Sequence, residues 1–164
     1  MAYQFRNALI TDLPYIVEVY NSIIPLGNVT ADLFPVTVAD WTPWFQQHQS
    51  PLRPIYILQK DGLDCGWMSF SDYKARTAYN ITAEISIYLA EEYRGKGWAY
   101  HFIEIGLNKL KEKGLKNVMA VIYADNIASI ALFKKLHFTQ WGLLPAVCNV
   151  KGVLKDVVIL GKSL

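Results

Sequence analysis

The chain is poor in cysteine. Cys65 and Cys148 lie far apart in its 164 residues, with no CxxC pair and no Cys/His company. That spacing excludes a disulfide framework and a structural zinc centre, and it points to a reducing compartment. No HxxxH pair or Asp/Glu/His spacing argues for any other metal. Long hydrophobic runs are missing too: no stretch approaches the roughly 20 apolar residues of a membrane span. The opening Met1-Ala2-Tyr3-Gln4-Phe5-Arg6 lacks the apolar core of a signal peptide. Nor does one sign of charge dominate. A formal charge of +2 is far from the concentrated basic stripe of a nucleic-acid binder. A soluble, cytoplasmic chain is expected, with no metal and with neither nucleic acid nor membrane as its partner. There is no repeat, linker or low-complexity tract. At 52% hydrophobic residues, 1–164 is expected to make one compact domain.

What is present alternates between strand and helix patterns. A short opening strand leads to Thr11-Asp12-Leu13-Pro14, an N-cap candidate followed by an early proline. Ile16, Val17, Tyr20, Ile23 and Ile24 then recur at helical spacing up to Pro25. A second helix is expected within Val36 to Gln49, amid Pro35, Pro43, Pro51 and Pro54. Ile55 to Leu58 and Cys65 to Phe70 read as a hairpin turned at Lys60-Asp61-Gly62. From Ala83 the alternation is clean, with Ala83, Ile85, Ile87 and Leu89 on one face and Glu84, Ser86 and Tyr88 on the other. Ala99, Phe102, Ile103, Gly106, Leu107 and Leu110 form the best helical stripe in the chain, with Gly114 as its C-terminal cap. Val118 to Tyr123 reads as a buried strand, Asp125-Asn126 as the cap of a helix carrying Ile130, Phe133 and Leu136, and 138–142 and 153–160 as closing strands. The fold class is α/β or α+β, with a βαβ unit at its centre.

Between the strand ending at Leu89 and the best helix stands Arg94-Gly95-Lys96-Gly97. A helix N-terminus has N–H groups without partners and carries partial positive charge, so it attracts anions. Two glycines let backbone approach a phosphate closely, and Arg94 and Lys96 add charge. Taken alone, R-G-x-G also describes a solvated basic turn; its place between strand and helix favours a pyrophosphate cradle. The G-x-x-x-x-G-K-[ST] and three-glycine dinucleotide spacings are absent, which disfavours ATP and NAD.

The stretch Arg94-Gly95-Lys96-Gly97-Trp98-Ala99 resembles the R/Q-x-x-G-x-G/A loop of the GCN5-related N-acetyltransferases. "VYNS", "TAEISIYL", "DNIASIALFKKLHF" and "WGLLP" with a later "KD" resemble its phosphinothricin acetyltransferase-like branch. The resemblance covers nearly the whole chain. It implies a mixed, mostly antiparallel sheet splayed at the acetyl-CoA site and flanked by helices. It also implies acetyl-CoA as co-substrate, a small-molecule amine such as phosphinothricin, methionine sulfoximine or methionine sulfone as acceptor, and a homodimer. Ile87, Tyr88 and Leu89 become the strand edge for the pantetheine arm, with the Leu89 N–H polarising the thioester oxygen. Arg94, Gly95, Lys96, Gly97, Trp98 and Ala99 take the phosphates. Asn126 contacts the cofactor, caps the next helix, or does both.

By the same resemblance Glu84 is the catalytic base. The chemistry needs one, because an ammonium with a pKa of roughly 10 is not a nucleophile until it loses a proton. Read without the family, the Glu84 face is an ordinary solvent-facing strand face. Lys74 and Arg76 become partners for an acceptor carboxylate or remain a solvated loop; Tyr79 stands beside the substrate or in the core. Two positions depart from the pattern. Ile85 stands where relatives often have His, and Phe133 replaces the Tyr or His that would protonate the leaving thiolate, leaving the acid unassigned. A polyamine or protein N-terminus as acceptor, or a non-catalytic acyl-CoA sensor, are the alternatives. Trp41, Trp44 and Phe45 are expected to pack a helix or line a substrate mouth, and His48, His101 and His137 to be structural or exposed.

Overall fold

The computed structural model describes residues 2–48 and 50–164. Seven strands form one sheet in the order β1-β2-β3-β4-β5-β7-β6. They are β1 (Tyr3–Asn7), β2 (Ile55–Lys60), β3 (Leu63–Asp72), β4 (Thr82–Leu89), β5 (Asn117–Tyr123), β6 (Thr139–Val150) and β7 (Val153–Ser163). Four helices accompany them: α1 (Leu13–Asn21), α2 (Val38–Gln47), α3 (Trp98–Glu112) and α4 (Ile127–Lys135). Every neighbouring pair of strands is antiparallel except β4 and β5. None of these helices is long and apolar enough to cross a membrane.

Local chemistry accounts for most of the boundaries. The β2–β3 hairpin turns on Asp61 and Gly62, both at positive φ, as a two-residue turn that matches strand twist requires. Gly114 follows α3 at φ +93; its N–H bonds the Lys111 carbonyl while that of Leu115 bonds Leu110, a glycine-closed helix end. The second helix lies within the expected segment, at Val38–Gln47. It begins at Val38 because Thr37 and Asp40 form a reciprocal capping box, and it tolerates the exposed Pro43 in its interior; the expected end at Gln49 lies outside the described residues. Leu136 is the C-cap of α4, not part of its helical run. The last two strands are longer than expected. Register shifts at Gln140/Gly142 and Leu144/Cys148 let β6 continue past Pro145 to a hairpin at Lys151-Gly152.

The sheet has a core on each face. Ala83, Ile85, Phe102, Leu107, Val118, Ala120 and Phe133 belong to the core beneath α3 and α4. Ile16, Val17, Tyr20, Phe45, Ile57 and Trp67 belong to the core beneath α1 and α2. Trp41 and Trp44 pack into the second core, with Tyr88 against it. The Glu84-Ser86-Tyr88 face is therefore half-buried, with Tyr88 packed against Tyr20 of α1 and with Glu84 and Ser86 beside the loop residues Val29, Thr30 and Ala31.

β4 and β5 pair only at Thr82↔Asn117, Ala83↔Val118 and Glu84↔Met119, then separate. Each is committed along its other edge: β4 pairs with β3 from Ala83 to Leu89, and β5 with β7 from Asn117 to Tyr123. Sheet twist carries the two ribbons apart.

One close approach fixes the β4 end. A Cβ on Gly66 of β3 would stand 2.2 Å from the Tyr88 carbonyl oxygen and 2.9 Å from the Leu89 Cα. Gly66→Ala is expected to destabilise the fold by about 1–3 kcal/mol through overpacking. Gly142→Ala, whose Cβ would meet Ile159 at an ordinary 3.6 Å, should stay within about 0.5 kcal/mol of the parent. Denaturant melts of both variants provide the comparison.

Candidate active site

The split leaves backbone without strand partners. Residues 65, 67, 69 and 71 of β3 face β4, as shown by the Ala90 N–H donating to Cys65 and the Phe70 N–H turning away to Pro54. By alternation, Glu84, Ser86 and Tyr88 bond β3; the Ile85 N–H closes the last rung with β5, and the Ile85 C=O and the N–H and C=O groups of Ile87 and Leu89 face the gap. Unpaired backbone groups are costly when buried, so a gap lined with them favours a ligand or water that can bond them. Arg94 satisfies one: its Nε donates to the Leu89 carbonyl at 2.8 Å. The Leu89 N–H remains directed into the gap.

A cavity of about 300 Å³ occupies the widening split. Ile87, Tyr88, Leu89, Arg94, Gly95, Ala99 and Asn126 line it, together with Phe133 from α4. At its loop end, α3 starts at Gly97 with no side-chain cap, whereas α2 and α4 are capped by Thr37 and Asn126. The first N–H groups of α3 have no intrahelical carbonyl and are left for an external acceptor. Gly95 and Gly97 adopt φ +72 and +76, and a Cβ on either would meet nothing within 4 Å. This open, donor-lined cradle fits a pyrophosphate.

The charged side chains of the loop behave differently from the backbone. The Arg94 Nη2 donates to the Ser22 hydroxyl at 2.6 Å, so its guanidinium braces the loop against α1 and β4. Lys96 lies over the rings of Tyr93 and Trp98, at 5.7 and 5.4 Å. Those rings stack on each other, and Trp98 also receives Lys60. Lys96, Gly97 and Trp98 do not line the cavity. Asn126 does, and it also accepts the Ser129 N–H at 3.2 Å as the α4 cap.

A second cavity of about 220 Å³ is lined by Glu84 and shares Val29, Ser86, Tyr88, Val121 and Ile122 with the first. The two meet where β4 and β5 part. Burial pushes the Glu84 carboxyl above its ordinary value. Tyr88 is pushed up to about 12, mainly by burial and secondarily by the Glu84 charge, so it stays protonated. Phe133 is buried against Phe138 and carries no proton to give.

Lys74, Arg76 and Tyr79 are not brought to this cavity. They sit on the exposed β3–β4 loop, where Lys74 lies over Tyr73 and Tyr79 packs edge-on against the same ring. Sequence reasoning missed residues that do line it: Val29, Thr30 and Ala31 from the α1–α2 loop, Tyr123 from β5, and Cys148 and Val157 from the last hairpin. These come from distant segments without a shared motif; the quoted "VYNS" ends the helix that holds the first group. A larger cleft, about 630 Å³, lies elsewhere among Asn7, His48, Pro54 and Lys113 and contains none of the expected site residues. His48 is tied there to Trp44 and Ser71.

This architecture has known counterparts. The acetyltransferase (GNAT) domain family matches residues 12–139. YwnH of Bacillus subtilis (strain 168), named for phosphinothricin acetylation, is 40% identical over 93% of this chain and 94% of its own. The L-methionine sulfoximine/L-methionine sulfone acetyltransferase of Pseudomonas paraeruginosa is 29% identical over 100% of this chain and 96% of its own. Among solved structures, a GNAT superfamily phosphinothricin acetyltransferase (Pat) from Sinorhizobium meliloti, in complex with AcCoA, superposes with a TM-score of 0.91. It is 28% identical and covers 100% of this chain and 89% of that one. The split sheet with an uncapped helix start at its mouth is thus the scaffold of an acetyl-transferring enzyme, and the chain belongs to the GNAT acetyltransferase family.

Proposed function

We propose that the protein transfers the acetyl group of acetyl-CoA directly to the amino group of a small amino-acid-like acceptor of the phosphinothricin, methionine sulfoximine or methionine sulfone type. The meeting of the two cavities at the β4–β5 split carries this reading. One has a pyrophosphate cradle at its end, the other has Glu84 in its wall. The names of the relatives supply the acceptor class.

Acetyl-CoA supplies an acetyl thioester whose carbon accepts the amine. In this reading the N–H groups at the α3 start, with Gly95 and Gly97, hold the pyrophosphate, and the exposed edge of Ile87 and Leu89 bonds the pantetheine arm. The Leu89 N–H donates to the thioester oxygen where negative charge develops. Glu84 takes the proton from the acceptor ammonium, directly or through water, and its desolvation makes it a stronger base than an exposed glutamate. Phe133 makes the thiolate end of the site apolar, so CoA leaves without a proton from that position. A thiol reference pKa of roughly 8.5 makes such a departure feasible.

One observation favours a second acceptor class. Lys74 and Arg76 lie outside the acceptor cavity, whose one charged lining residue is Glu84. An amine without a carboxylate, such as a polyamine, brings no anion into a cavity that has no cation to pair with it.

CoA release measured over methionine sulfone, methionine sulfoximine, phosphinothricin and spermidine separates these readings. Turnover of the amino acids and not spermidine is expected, the converse supports the second class, and no turnover with any amine ends both.

Glu84→Gln should lower kcat by about 10²–10⁴-fold while leaving acetyl-CoA affinity nearly intact. In the parent, kcat/KM should fall on acidification through a pKa above the ordinary glutamate value of about 4.3. The same substitution should raise Tm at pH 7. Ionised Glu84 burdens the folded state above its raised folded pKa, and that burden disappears once the pH falls below about 4.3. Unchanged turnover would remove Glu84 as the base, and acetyl-CoA binding without turnover in the parent would leave a non-catalytic acyl-CoA sensor.

Gly97→Val places a β-branched residue at φ +76, a conformation costing about 1–3 kcal/mol. Calorimetry should show acetyl-CoA binding weakened by roughly tenfold or more.

A further inference from the structure

The last turn of α1, Val19-Tyr20-Asn21-Ser22, touches no reacting atom in the chemistry above. Its base is rigid. Leu13, Ile16, Val17 and Val19 are buried, and the Trp67 Nε1–H of β3 donates to the Ile16 carbonyl at 3.0 Å. From that base three consecutive side chains reach two segments, Tyr20 and Asn21 the α1–α2 loop and Ser22 the loop after β4.

Tyr20 packs edge-on against Tyr88, with ring centroids 5.4 Å apart, and sends its hydroxyl to the α1–α2 loop. There it donates to the Asp32 carboxylate and bonds the Thr30 hydroxyl. Burial, and then the hydrogen bond to Asp32, raise the Tyr20 pKa and keep the phenol protonated. Thr30 and its neighbours Val29 and Ala31 line the acceptor cavity. Asn21 pins the far end of the same loop, exchanging two 2.9 Å bonds with the Val36 backbone.

Ser22 turns the other way. Its hydroxyl donates to the Val19 carbonyl and accepts from the Arg94 Nη2, both at 2.6 Å. Arg94 in turn holds the Leu89 carbonyl. A bond from α1 thus orients the residue that fixes the pyrophosphate loop against the β4 edge.

We infer that the last turn of α1 is the fixture that places the two substrates relative to each other: Tyr20 positions the wall of the acceptor cavity and Ser22 positions the cofactor loop. Both act through other groups, so they are positioning residues, and their roles rest on the cavity assignments of the proposed function. The reach of the transfer depends on that geometry, because a nucleophile displaced by about 1 Å from its attack position loses rate steeply.

The inference has a two-sided signature. Tyr20→Phe keeps the ring contacts and removes one hydroxyl that bonds a carboxylate. Acceptor KM should rise by about fivefold or more, while acetyl-CoA affinity holds. Ser22→Ala should weaken acetyl-CoA binding by about 2- to 10-fold and leave acceptor KM at saturating acetyl-CoA unchanged. Ser22→Thr, which keeps the hydroxyl, should restore binding. Amide hydrogen exchange on the unliganded proteins gives a readout independent of turnover. Tyr20→Phe should speed exchange in 29–36 and not in 94–99, and Ser22→Ala the reverse.

If either variant loosens both segments together, or neither, the turn is ordinary packing and the inference falls. Selective exchange without the corresponding change in KM or affinity also overturns it, by removing the link to substrates. Should the parent protein acetylate no acceptor, the functional reading fails on its own; exchange and acetyl-CoA calorimetry then still decide whether the fixture exists.

Discussion

Two strands that cannot continue to pair govern this molecule. β4 and β5 run parallel for three residue pairs and then part, because each is hydrogen-bonded along its other edge to a different antiparallel ribbon. Closing the split would require breaking one of those ladders. Leaving it open turns the Ile87 and Leu89 backbone groups and the Ile85 carbonyl toward a space that a polar, extended ligand arm can fill. The sheet, which elsewhere separates two apolar cores, has a window here, and through it the cavity beside α3 and α4 reaches the one beneath the α1–α2 loop.

The loop that follows β4 exploits the same economy of partners. Among the four α-helices described, α2 and α4 are closed at their starts by the side chains of Thr37 and Asn126, but α3 begins on a glycine with none. Its first N–H groups are free because the helix has no carbonyl for them and the glycine cap has no side-chain acceptor, while the neighbouring cations are held elsewhere. Arg94 braces the strand end, and Lys96 rests on Tyr93 and Trp98. Anion binding at this position is a property of main-chain geometry, with the cations giving shape and background potential. Glu84 shows the complementary strategy. Its carboxylate is partly removed from water without an ion-pair partner in the cavity wall, which raises its basicity and costs stability, a common exchange at catalytic positions.

Local signals made much of this legible. The Asp61-Gly62 turn, the Gly114 helix end, the α3 stripe and the alternation in β4 are each written over a few neighbouring residues, where steric and hydrogen-bonding rules act at short range. Glu84, Asn126, Arg94 and Gly95, singled out by the family resemblance, line the cavities at the split. Lys74, Arg76 and Tyr79 show the limit. Their neighbourhood along the chain to Glu84 suggests a shared site, yet the β3–β4 loop holds them outside the cavity, while Thr30, Tyr123 and Cys148 enter it from three segments remote in sequence.

The sequence alone determined the order of the elements, the uncapped glycine start of α3, the face of β4 that carries Glu84, and membership in a fold family, because these depend on local conformation and period. Only the tertiary structure decided that the Glu84 face is half-buried, that its carboxyl is desolvated, that Arg94 serves Leu89 and Ser22, and which loop walls the cavity beside Glu84. Burial and long-range hydrogen bonds arise from the packing of α1 and the last hairpin against the split sheet, and no short window of sequence contains both sides of those contacts.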